Sequence, residues 1–86
     1  MQTLSFKTPK DRTENRRLRT SFTKFVSIKL KEARISRKMS QQELAEKTGL
    51  HLTYIGHLEL GKYHPTLFVT WKISKALNVR VDELVS

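Results

Sequence analysis

The sequence contains no cysteine, which excludes disulfides and any cysteine-ligated zinc site. Its apolar runs reach only three or four residues, far short of a membrane span. The opening MQTLSFKTPK has no apolar core of the kind a secretory signal needs. These absences predict an intracellular, cytoplasmic protein with no membrane partner. Acidic residues are scarce, 8 Asp+Glu against 17 Lys+Arg, for a net charge of +9 in 86 residues. So basic a chain favours a polyanion, nucleic acid or an anionic surface, and its length allows one small core. Strand-like alternation and internal repeats are also missing, so the expectation is an all-α fold.

What is present centres on SQQELAEKTGLHLTYIGHLELG, residues 40–61. Ser40 is placed to cap a helix, and Glu43 three positions on can close a capping box. Leu44 and Ala45 begin an apolar stripe. Gly49 ends that helix where a left-handed residue is needed. Leu50 lies in the turn. Ile55 and Leu58 face inward from a second helix, which Gly61 ends. Small Ala45 lets the two helices cross closely. Two short helices on a tight glycine turn follow the logic of a helix-turn-helix.

Around this pair the chain divides into a basic extension, residues 1–21, and a domain, residues 22–86. The extension reads as a flexible tail carrying Lys7, Lys10, Arg12, Arg16, Arg17 and Arg19. Three alternatives stay open: a basic arm touching phosphates or a minor groove, a short strand or partner contact at Leu4 and Phe6, and a backward extension of the first helix over residues 13–19. Helix 1 is predicted to start near Ser21 or Thr23 and to end near Arg37 or Lys38, burying Phe22, Val26, Leu30 and Ala33, which Phe25 can join. Lys62–Pro65 form a loop. Thr66 caps helix 4, whose core face is expected to comprise Leu67, Trp71, Ile73, Ala76 and Leu77. Asn78 closes it, and residues 82–85 make a short fifth helix that Arg80 caps weakly. Gly56, in the middle of helix 3, costs about 1 kcal/mol relative to alanine. It is expected to relieve crowding against helix 2, with close approach to DNA as the alternative.

Leu30, Ala33 and Arg34, then Met39-Ser40-Gln41, Glu43-Leu44-Ala45, Gly49, Ile55, Glu59, Gly61, Pro65, Ala76-Leu77-Asn78-Val79 and Asp82-Glu83-Leu84 form a pattern. It resembles the XRE family of Cro/C1-type helix-turn-helix regulators over about residues 25 to 85. The resemblance implies a compact five-helix, lambda-repressor-like DNA-binding domain. It places Ser40 and Gln41 at a phosphate, consistent with the anion affinity of a helix N-terminus. It also makes helix 3 the recognition helix in a major groove, with His51, Leu52, Thr53, Tyr54 and His57 toward bases or backbone. Lys62, Tyr63 and His64 match a loop that touches the DNA backbone. Arg34 and Glu59 match a partly buried ion pair joining helix 1 to helix 3.

The reading face lacks the Gln, Asn and Arg that pair bidentately with purines, so shape and charge are expected to carry more of the recognition. Phe68 and Val69, where the family tends to be polar, are candidates for a dimer surface.

The three histidines, His51, His57 and His64, lack the spacing of a metal site. No nucleophile stands beside a base, so no enzyme, metal or cofactor is expected. The sequence therefore predicts a sequence-specific double-stranded DNA-binding transcriptional regulator, acting as a homodimer on a pseudo-palindromic operator. The alternative is an antitoxin-type protein-interaction module whose partner is a toxin or regulator, with DNA binding secondary. A third is a charge-driven coater of any duplex. The chain ends just after helix 5, so no sensing domain is expected.

Overall fold

A computed structural model describes residues 11–86. Expectations for Leu4, Phe6, Lys7, Pro9 and Lys10 lie outside those residues. Five helices run in order: α1 (Arg12–Ser36), α2 (Gln41–Thr48), α3 (Leu52–Glu59), α4 (Leu67–Leu77) and α5 (Val81–Val85).

The caps explain most of these limits. Ser40 Oγ accepts from the Glu43 N–H at 3.0 Å, and Glu43 Oε1 accepts from the Ser40 N–H at 3.0 Å. Gly49 ends α2 at φ +72, which strains any residue with a Cβ. Thr66 Oγ1 accepts from the Val69 N–H at 3.1 Å to start α4, and Asn78 ends it at φ 56. Arg80 supplies no side-chain cap, although Glu83 reaches back to its N–H at 2.7 Å. Lys38, just past α1, also holds a positive φ of 55.

α1 corrects one expectation. It starts at Arg12 rather than near Ser21 or Thr23, so the line drawn between residues 21 and 22 falls inside it. Asp11 Oδ1 accepts from the Glu14 N–H at 2.8 Å and supplies the cap. The first turns bury nothing, so an apolar stripe could not mark them. Good helix formers and continuity with the packed half carry the helix there.

Each helix sends one or two side chains to a single core: Leu30 from α1, Leu44 and Ala45 from α2, Ile55 and Leu58 from α3, Ile73 and Leu77 from α4, and Leu84 from α5. α1 packs on α5 and α3, while α2 packs on α3 and α4. Buried hydroxyls turn back onto their own helices, as Thr48 Oγ1 does onto the Leu44 carbonyl at 2.7 Å. None of the described residues leaves a buried side-chain polar atom unpartnered.

Four residues expected in the core lie outside it. Trp71 is 49% exposed, Leu67 79%, Phe22 45% and Phe25 40%. The buried face of α4 is Thr70, Ile73, Ser74 and Leu77, at spacings of three, one and three. Leu67 and Trp71, four apart, form an adjacent strip about 100° around the helix. Among the described residues no helix is long and apolar enough to cross a membrane.

Candidate nucleic-acid interface

The helix-turn-helix is held by a network around one carboxylate. Arg34 Nε donates to Glu59 Oε2 at 2.6 Å and its Nη2 to Oε1 at 2.9 Å. Arg34 Nη1 also donates to the Met39 carbonyl at 2.7 Å. Gln41 Nε2 donates to Glu59 Oε1 at 3.0 Å. Glu59 thereby joins the end of α1, the start of α2 and the end of α3. The side chains are 11% and 2% exposed, so the pair is largely out of water. The hydrogen bond with Glu59 holds the Arg34 pKa above its ordinary value, against the opposing effect of burial.

This network gives Gln41 a duty that the sequence did not reveal. Its amide is fixed toward α3, while its backbone N–H stands in the first turn of α2, where such groups lack intrahelical acceptors. Ser40, next to it, is exposed. Glu43 is also in this turn, and its hydrogen bonds from Ser40, the backbone one first, hold its carboxyl below the ordinary range.

α3 presents two kinds of surface. At its start His51, Leu52 and Thr53 are exposed, and Leu52 keeps 40% of its surface in solvent. His51 is the N-cap, its Nδ1 accepting from the Thr53 N–H at 3.2 Å. That bond places the ring proton on Nε2, so the outward group is a donor. Further along, Tyr54 is half-buried against the core. Its ring stacks on Tyr63 at 6.4 Å between centroids, and His57 meets Tyr63 at 5.5 Å. The loop returns because the Lys62 N–H donates to the His57 carbonyl at 3.0 Å. Tyr63 thus packs against the far end of α3, and Lys62 stays exposed beside it.

Gly56 is not crowded. A Cβ there would meet Gln41 Oε1 at 3.9 Å, an ordinary contact. Relief of crowding against α2 is therefore not why glycine stands at this position.

His64 turns elsewhere. It shares a surface groove with Asn15, Leu18, Arg19 and Phe22 of α1. Sequence reasoning missed this neighbourhood. Its one available signal is that Arg12, Arg16 and Arg19 continue the spacing of Thr23, Val26 and Leu30, by fours and threes.

Two helices joined by a glycine turn, with the second bearing an exposed polar N-terminal face, define a helix-turn-helix DNA-binding domain. Residues 30–84 match the family described as Helix-turn-helix, HTH_3. The chain belongs to this family, the XRE or Cro/C1-type transcriptional regulators. It is 39% identical over 59 residues to an uncharacterized HTH-type transcriptional regulator of Archaeoglobus fulgidus, covering 69% of this chain and 84% of that protein. It is 33% identical to the immunity repressor protein of Bacillus phage phi105 over 70% of this chain and 42% of that one. Among solved structures it resembles the restriction-modification controller protein C.AhdI from Aeromonas hydrophila. The TM-score is 0.72 at 30% identity, over 74% of this chain and 97% of that chain.

Proposed function

We propose that this regulator binds a pseudo-palindromic operator as a homodimer, with α3 in the major groove. The observation that carries this reading is the exposed start of α3, held at a set angle to α2 by the Arg34–Glu59–Gln41 network. Thr53 and the outward Nε2 of His51 offer hydrogen bonds to base edges, and Leu52 offers an apolar contact to a thymine methyl. His57, braced by Tyr63, stands one turn on. The backbone N–H groups of Gln41 and its neighbours meet a phosphate at the positive end of α2. Lys62 and Tyr63, both exposed beside the end of α3, flank the DNA backbone there, and His64 extends that contact toward α1.

Dimerisation draws support from α4. Phe68, 64% exposed, stacks on Trp71 at 6.3 Å between centroids, a solvent-facing aromatic pair of the kind that interfaces cover. The half-buried Val69 packs toward the core instead. Two recognition helices about 34 Å apart would read half-sites one turn apart.

Selection of bound sites from random duplexes, followed by binding of variants, tests the division of labour. Thr53→Ala and His57→Ala are expected to reduce discrimination between the selected site and mixed sequence. Lys62→Gln, which removes a charge facing the DNA backbone, is expected to weaken both alike. Equal losses on every duplex for all three would overturn it.

A further inference from the structure

We propose that Arg12, Arg16 and Arg19 form a stripe on α1 that binds the phosphodiester backbone flanking the site read by α3. The inference rests on the DNA-binding reading above and extends its contact surface to a part of the helix that the family match, residues 30–84, does not cover.

The stripe is a continuation of the face that builds the core. Positions 12, 16, 19, 23, 26 and 30 follow one another by fours and threes and so share one side of the helix. Thr23, Val26 and Leu30 on that side are buried. From Phe22 back to Arg12 only Leu18 is even half-buried. The helix therefore overhangs the body, and the side it turns inward changes from apolar to arginine where the body ends.

What lies beside the overhang is the loop after the reading helix. Arg19 and Asn15 line one groove with His64. His64 follows Tyr63, whose ring touches His57 and Tyr54 of α3. Arg19, at the inner end of the stripe, thus stands one loop away from the recognition surface, and Arg16 and Arg12 continue from it along the overhanging turns of α1.

Its charge is free. The described residues form two ion pairs, Arg34–Glu59 and Arg80–Asp82, and neither involves the stripe. Asp11 is occupied as the cap. Like charges at this spacing oppose one another, and no packing by the described residues offsets that repulsion. A polyanion laid along the stripe would. At 1.5 Å per residue, Arg12 and Arg19 are about 10 Å apart along the axis, the reach of about three phosphates of one strand.

The test uses the full chain and a mixed-sequence 40-base-pair duplex, with affinity measured against salt concentration. The triple variant Arg12→Gln, Arg16→Gln, Arg19→Gln is expected to reduce the slope of log K against log salt by roughly 2 to 3, about 0.9 for each phosphate left without its arginine. The corresponding triple replacement by lysine should keep a slope near wild type. Arg17→Gln, on the opposite side of the helix, should leave it unchanged. The single Arg16→Gln, expected to remove about 0.9, serves if the triple variant loses helicity by circular dichroism. An unchanged slope in both the triple and the single variant overturns the stripe while leaving the DNA reading standing. No binding of the duplex by the wild-type chain, even at low salt, overturns both.

Discussion

Arg34 grips Glu59 with two nitrogens, at 2.6 and 2.9 Å, across the junction of α1 and α3. With Gln41 donating to the same carboxylate, one side chain sets the relative placement of three helices. A buried pair of this kind is costly to break, because the partner left behind is an uncompensated charge. It also ties the proposed recognition surface to stability, since α3 ends at Glu59.

Glu59→Gln strands the Arg34 guanidinium and should destabilise the fold by about 3 kcal/mol. Thermal melts read this directly. An unchanged midpoint would mean that the network does not hold the helices.

Gly56→Ala should stabilise the free protein by up to about 1 kcal/mol, because alanine is the better helix former and Gln41 leaves room for the methyl group. Denaturant unfolding provides the measurement. A lower midpoint would show that α2 presses on this position after all.

Trp71, the single tryptophan, should emit as a solvent-exposed indole in the monomer and be readily quenched by acrylamide. Trp71→Ala should then cost the monomer less stability than Leu77→Ala, whose buried leucine predicts a loss of about 2 to 5 kcal/mol. Equal costs would place the indole in the core.

Glu43 contributes a pH-dependent part of stability. Its folded-state pKa is lowered by the Ser40 hydrogen bonds, so the contribution is complete above the unfolded glutamate pKa, about 4.3. It is lost as pH falls through the lower folded value. Glu43→Gln should accordingly lose less stability than wild type between pH 5 and pH 2, read as the change in melting temperature. Parallel curves for the two proteins would remove Glu43 from the acid response.

The residues most legible in the sequence were those whose duty is local. Ser40 with Glu43, Gly49, Thr66 and Asn78 act within a turn of chain, and the structure uses each where the pattern placed it. The Arg34–Glu59 pair was legible through resemblance, since nothing local links residues 25 positions apart. The resemblance puts Gln41 at a phosphate, but its bond to Glu59 depends on how α2 and α3 cross. His64 is one of three loop neighbours in the sequence, yet it faces α1 while Tyr63 faces α3.

The sequence by itself determined the helical class, both ends of α2 and of α4, and the glycine turn between α2 and α3. Caps, breakers and the 3.6-residue period act over short stretches that the order of residues specifies directly. The tertiary structure alone decided which apolar side chains are covered: Leu30 is buried, whereas Phe22, Leu67 and Trp71, equally apolar in the pattern, face solvent. It also decided what stands beside the overhanging turns of α1. Burial and neighbourhood depend on helices distant in sequence, and those turns begin at Arg12 with a cap but no core to mark them.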